Sequence, residues 1–236
     1  MTGTLYGLGV GPGAPDLITL RGLRILQSAP VLTYPAPLEG DSLARRIVAP
    51  HLDGHHQEIV IRMPMVAERF PAQAVYDWAA ARIGEQLAES RDVVYLCEGD
   101  PFVYGSFSYL YERMIGAYPV TVVPGVSSVM ACAAAVGAPL AMRNDVLSIV
   151  PATLSEDVLT QRIGEVDAVA IIKVGRHLPK VRRVLDSLDL MTAARYVERA
   201  TFSNEHTMAL ADFTDVEAPY FSMVLVHRRG LAWRTQ

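Results

Sequence analysis

The sequence predicts an α/β protein of two domains, an N-terminal five-stranded, mainly parallel sheet and a C-terminal mixed α/β sheet. Three observations carry this. Apolar runs of strand length alternate with stretches of helical periodicity through the first half of the chain. Three of those runs end in turns rich in glycine and proline. Beyond Gly137-Ala138-Pro139 the last two strand-like runs have no helix between them, which argues for a mixed sheet there. The domains are therefore drawn as 1–138 and 139–236, each within the usual size range.

The first strand, around Thr4 to Leu8, runs into Gly7-Leu8-Gly9-Val10-Gly11-Pro12-Gly13-Ala14-Pro15, with a helix expected from about Asp16 to Ser28. The glycines allow close backbone approach to a ligand. Gly9 to Ala14 fits the dinucleotide pattern GxGxxA, but the acid that should follow about 20 residues on is absent between Ser28 and Tyr34. A nicotinamide enzyme is therefore disfavoured. With no Gly-Lys-Ser/Thr, a nucleotide P-loop is excluded.

A second strand, Val31 to Tyr34, ends at Pro35-Ala36-Pro37, and a helix is expected over about Ser42 to Leu52. His51, Asp53, His55 and His56 crowd together next, but the segment reads as a polar loop and no metal is expected. Ile59 and Ile61 alternate toward Met63-Pro64-Met65 as a third strand. Val75, Trp78, Ala79, Ile83 and Leu87 recur at helical spacing in a helix of about Ala67 to Glu89, with Trp78 expected in the core.

The fourth strand, Val93 to Cys97, stops at Glu98, and Gly99-Asp100-Pro101 cannot continue a sheet. Ligands of open parallel sheets sit beyond the carboxyl ends of the strands, so this turn is where a ligand is met. A helix follows from about Ser106 to Ala117, and Tyr104 is expected to face a cleft. The fifth strand, Val120 to Val123, runs into Pro124-Gly125-Val126-Ser127-Ser128 and a helix of small residues, Val129 to Val136. Ser127 or Ser128 serves as a helix cap, backbone donors there hold a carboxylate, or both. In the C-terminal half, strands are read at Val146–Val150, Ala168–Val174, Tyr196–Ala200, Thr207–Leu210 and Phe221–Val226, with helices at Ser155–Gly164 and Leu178–Leu188.

Composition narrows the partners. The 236 residues are 51% hydrophobic and 19% charged, enough for a large core. A net charge of -4 gives no reason to expect nucleic acid or an anionic membrane. The apolar runs are too short to span a bilayer, and the glycine-rich N-terminus does not read as a signal peptide, so a cytoplasmic location is expected. Cys97 and Cys132, in apolar segments without CxxC spacing, are expected to be core residues.

Gly9-Val10-Gly11-Pro12-Gly13 with Leu17 to Leu20, Glu98-Gly99-Asp100-Pro101, and Val123-Pro124-Gly125-Val126-Ser127-Ser128 resemble the three N-terminal signatures of the tetrapyrrole methylases. Pro139-Leu140, Lys173-Val174-Gly175 and Val197-Glu198-Arg199-Ala200 resemble the C-terminal ones. Tyr34-Pro35, Met63-Pro64-Met65 and the stretch from Cys97 to Arg113 look like the branch that methylates carbon 20 of precorrin-2 in cobalamin biosynthesis. The alternatives are the cobalt-loaded substrate and another tetrapyrrole such as uroporphyrinogen III.

The resemblance implies S-adenosylmethionine as methyl donor, in a cleft between the domains, a polycarboxylate tetrapyrrole as substrate, and a homodimer. It assigns Pro12, Glu98, Gly99, Asp100, Val103, Ser127, Ser128, Val174 and Ala200 to the cofactor, and Gly11, Tyr104 and Arg143 to the substrate side. The family often has Gly at the positions of Glu98 and Ala200, and Thr-Ala at Ser127-Ser128. No catalytic residue is assigned; Asp100, Glu98 and Tyr104 are candidate bases by location. An acidic protein must concentrate basic residues to hold a polycarboxylate, and Arg21, Arg45, Arg46, Arg143 and Arg176 are candidates. The rival functions are a nicotinamide oxidoreductase and a non-catalytic tetrapyrrole carrier.

Overall fold

A computed structural model describes residues 2–63 and 69–229. The chain divides into two compact units, Met1–Ser127 and Ser128–Gln236. No described helix is long and apolar enough to cross a membrane.

The first unit contains β1 (Leu5–Gly9), α1 (Leu20–Ser28), β2 (Val31–Pro37), α2 (Leu43–Val48), β3 (Gln57–Met63), α3 (Arg69–Ala88), β4 (Val93–Cys97), α4 (Phe107–Met114) and β5 (Val120–Val123). Its sheet order is β3-β2-β4-β1-β5 with every pairing parallel. Strand β4 is buried along its whole length because both faces are covered. Val93, Tyr95 and Cys97 point to a core with Tyr76, Ala79, Ile83 and Leu87 of α3 and Phe107, Leu110 and Met114 of α4. Val94 and Leu96 point the other way, to Leu26 of α1 and Ala44, Ile47 and Val48 of α2.

Two local expectations are corrected, and a third is only partly described. The helix expected from Asp16 begins at Leu20, because the Thr19 hydroxyl accepts the Gly22 N–H at 3.1 Å and caps it there. A short 3-10 turn over Pro15–Leu17 and an extended Ile18 come first. Trp78 is 47% exposed: the buried stripe of α3 runs through Tyr76, Ala79, Ile83 and Leu87, and Trp78 falls off it. The third strand is described to Met63; Pro64-Met65 and the expected helix start at Ala67 lie outside the described residues.

The second unit contains α5 (Ser128–Val136), β6 (Leu147–Pro151), α6 (Glu156–Gly164), β7 (Ala168–Ile172), α7 (Leu178–Ser187), β8 (Ala194–Glu198), β9 (His206–Ala209) and β10 (Ser222–His227). The order is β6-β7-β10-β8-β9. Only β6 and β7 pair in parallel, so the sheet is mixed. Helices α6 and α7 cover one face through Leu159, Ile163, Val181, Val184 and Leu185. Helix α5 covers the other: Val129, Ala131 and Cys132 pack with Ala170, Ile172, Val197, Met223 and Leu225. That packing draws α5 into the second unit, which begins at Ser128. Both cysteines are buried and free, and burial pushes the Cys132 thiol up to about 12.

Candidate functional site

Because β1 lies between β4 and β5, the chain leaves all three strands at one edge of the first sheet, and the three glycine turns meet there. They are bonded to one another. The Val10 N–H donates to the Cys97 carbonyl at 2.9 Å, and the Gly99 N–H donates to the Gly11 carbonyl at 2.8 Å. Asp100 spans the gap to the third turn: Oδ2 accepts the Gly125 N–H at 3.0 Å and Oδ1 accepts the Phe102 N–H at 2.9 Å.

The turns pack backbone to backbone. A Cβ on Gly9 would stand 2.6 Å from the Gly125 Cα, and one on Gly125 would stand 2.1 Å from the Gly99 carbonyl oxygen. Gly99 itself has φ +65°, where a side chain is strained. Gly11, Pro12 and Glu98 to Val103 are thus brought together, and Gly125, which the sequence reading left unassigned, locks them.

Glu98 retains exposed surface, yet the protein crowds its carboxyl closely. Desolvation pushes its pKa up, opposed by a hydrogen bond from the Ala44 backbone and by the charge of Arg46. Immediately beyond Asp100 the surface is apolar and open: Phe102, Val103 and Tyr104 are 52%, 40% and 53% exposed. Tyr104 sits at φ +55°.

In the second unit β7 and β8 are both antiparallel to β10 and so run the same way, ending at one edge. Val174 and Ala200, both buried, follow those ends. The flanking Lys173, Arg199 and Thr201 have φ of 57°, 48° and 71°. The left-handed region costs such residues about 1–2 kcal/mol each, and it is held here by specific bonds. The Arg199 N–H donates to the Phe221 carbonyl at 2.8 Å, and the Thr201 N–H donates to the Glu205 carboxylate at 2.6 Å. Strained residues of this kind gather at ligand sites. Of the other non-glycine residues with positive φ, Ser90 and Asp189 lie just past the ends of α3 and α7, as helix stops do.

The candidate arginines divide. Arg45 is tied up: its guanidinium holds Glu58 through two nitrogens, which keeps the Glu58 carboxyl below its usual range. Arg46 stands beside Glu98, and the exposed Arg176 follows Val174. Arg143 lies in a turn fixed by Asp145, which accepts the Met142 N–H and pairs with His227 and Arg229 at the far end of β10. Since β10 is antiparallel to β7, that turn belongs to the sheet edge opposite Val174 and Ala200. Arg21 is exposed on α1.

Two α/β units, the first with strand-end glycine turns packed backbone to backbone, define the class, and the chain belongs to the tetrapyrrole (corrin/porphyrin) methylases, whose family model matches residues 4–212. Among named relatives, it is 38% identical over 232 residues to a precorrin-2 C(20)-methyltransferase from Sinorhizobium, covering 95% of each chain. It is 32% identical to a cobalt-precorrin-2 C(20)-methyltransferase from Salmonella typhimurium, covering 97% of this chain and 98% of that one. The fold is shared with a uroporphyrin-III C-methyltransferase from Thermus thermophilus, solved with S-adenosyl homocysteine: TM-score 0.70, 22% identity, 99% and 100% of the two chains covered.

Proposed function

We propose that this chain transfers the sulfonium methyl of S-adenosylmethionine to carbon 20 of precorrin-2, giving precorrin-3A. The observation that carries the reading is the junction of the Gly9–Gly11, Glu98–Asp100 and Gly125 turns at one sheet edge, in a chain so similar to a precorrin-2 C(20)-methyltransferase. S-Adenosylmethionine supplies an electrophilic methyl when bound. The protein's task is then positioning, which contributes on the order of 7–11 kcal/mol for a well-oriented pair.

Pro12, Glu98, Gly99, Asp100, Val103, Ser127, Ser128, Val174 and Ala200 are the proposed cofactor contacts; Gly11, Tyr104 and Arg143 are the proposed substrate contacts, and the exposed Arg176, which follows Val174 at the β7 end, is proposed as the stronger of the two arginines. The open apolar patch of Phe102, Val103 and Tyr104 suits an adenine or a macrocycle face. After methyl transfer the carbon must shed a proton. Asp100 is already engaged by two backbone N–H groups and acts as a positioning residue. Glu98 is the better acceptor of that proton, since its raised pKa moves it toward the working pH. The cobalt-loaded substrate is the second reading, favoured by the Salmonella relative. A homodimer and a cytoplasmic location complete the proposal; light scattering at 25.8 kDa would rule out the dimer under the conditions used.

The test supplies S-adenosylmethionine with a labelled methyl and, in parallel, precorrin-2, cobalt-precorrin-2 or uroporphyrinogen III. Label at carbon 20 of the first supports the proposal, and label only in the second moves it to the cobalt substrate. Tetrapyrrole binding without transfer indicates a carrier, and tight NADH binding an oxidoreductase.

A further inference from the structure

The loop before β3 holds a group of side chains that the methyl-transfer reading does not use. Asp53, His55 and His56 each offer a ligand atom, all within 4.8 Å of one another. The decisive residue is His56. Its Nε2 lies 2.7 Å from the Leu26 carbonyl of α1, an acceptor only, so that nitrogen carries the proton. The tautomer leaves a lone pair on Nδ1, which is buried with no hydrogen-bond partner among the described residues. A histidine whose far N–H is fixed on a backbone carbonyl and whose near nitrogen is bare is arranged as metal-binding histidines are. Beside it, the His55 ring lies against the His56 ring with centroids 3.8 Å apart and planes tilted by 31°, and His55 Nδ1 meets Asp53 Oδ1.

We propose that Asp53, His55 and His56 form a site for one divalent transition-metal ion, bound through the Asp53 carboxylate, the His55 ring and Nδ1 of His56. Two imidazoles and one carboxylate suit zinc, cobalt(II) or nickel(II); magnesium and calcium want oxygen, and no thiolate is among the three to draw softer ions. Three protein ligands leave a position open for water. Metal–nitrogen bonds of about 2.1 Å place tetrahedral donors roughly 3.4 Å apart, so the His55–Asp53 pair must part slightly and the wider pairs draw in. The two residues that must move, Asp53 and His55, are exposed, with 73% and 41% of their side chains accessible. His56 stays on α1. The site lies at the start of β3, across the sheet from the glycine turns, so it is independent of the methyl-transfer reading. Its ion would staple the loop to α1.

The test uses tag-free full-length protein titrated with cobalt(II), followed by the visible d–d absorption and by equilibrium dialysis, with zinc added to displace it. One equivalent is expected, with the intense bands of a low-coordinate nitrogen–oxygen site that zinc bleaches, and a melting temperature raised by the metal. His55→Ala and Asp53→Ala, both at exposed positions, should each weaken binding at least tenfold while methyl transfer without added metal is unchanged. His51→Ala should bind as the wild type does, because its ring sits on the Pro15 carbonyl. Absence of cobalt binding, or equal binding by His55→Ala and the wild type, would overturn the proposal.

Discussion

Gly125→Ala isolates what joins the three turns. Its Cβ would lie 2.1 Å from the Gly99 carbonyl oxygen and 2.7 and 2.8 Å from the Gly9 Cα and carbonyl carbon, whereas ordinary contact begins near 3.4 Å. Every one of these neighbours is backbone, so no rotamer change relieves the clash. The β4 and β5 turns would have to part by more than an ångström, stretching the Gly125 N–H bond to Asp100. Overpacking costs typically about 1–3 kcal/mol, and an immovable neighbour puts this case at about 3. At about 2–4 °C per kcal/mol for a chain of this size, the melting temperature should fall by about 6–12 °C. Gly116→Ala is the control, since its Cβ meets nothing within 4 Å; it should be neutral or gain up to about 1 kcal/mol. Circular dichroism melts of both variants decide the matter. The reasoning fails if Gly125→Ala melts with the wild type. A Gly9→Ala, Gly125→Ala double variant should lose less than the sum, because both side chains wedge open one gap.

The remaining predictions concern charge and ligand affinity. The Glu98 carboxyl is raised above its ordinary 4.5, so the folded state holds that proton more tightly than the unfolded chain does. Its contribution is fully present below pH 4.5 and is lost as pH rises through the folded value. Glu98→Gln should therefore unfold at higher urea than the wild type near neutral pH, with the advantage vanishing in acid; equal midpoints throughout would refute it. Gly99→Val, forcing a β-branched residue into φ +65°, should weaken S-adenosylmethionine at least tenfold, about 1.4 kcal/mol, by calorimetry, and Gly99→Asn should fold more readily. Arg176→Ala should raise KM for the tetrapyrrole with cofactor affinity unchanged, more than Arg143→Ala does, given where the two stand in the sheet. Rising salt should blunt the difference, since the Debye length falls from about 8 Å at physiological ionic strength to about 3 Å at 1 M. Indistinguishable kinetics for the two variants would remove the assignment.

Much of this architecture is written locally. Val93 to Cys97 reads as a doubly covered strand because every residue is apolar, and the turns read as turns because Gly, Asp and Pro cannot extend a sheet. What the local sequence leaves open depends largely on partners remote in sequence. Trp78 fits the apolar spacing of α3 as well as Tyr76 does, and only α4 and the sheet decide which is covered. The small residues of α5 say nothing of which sheet they will meet. The left-handed Lys173, Arg199 and Thr201 carry no glycine or asparagine to announce them; Arg199 is held by the Phe221 carbonyl and Thr201 by the carboxylate of Glu205. Arg143 lies near a motif the sequence announces, whereas the Asp145 anchor of its turn, made through His227 and Arg229, shows only in the fold.

The place of β10 has a consequence for biosynthesis. It is the last described strand to leave the ribosome, yet it occupies the middle of the second sheet, bonded on both sides to β7 and β8. Until Ser222–His227 emerges, those two strands present bare edges, and Ala170, Ile172 and Val197 lack the apolar neighbours Met223 and Leu225. At about 5–20 residues per second the interval is seconds long, while the first unit already has all five of its strands. Nascent chains stalled before Ser222 should thus be the forms that chaperones retain and that aggregate, and those stalled after His227 should escape.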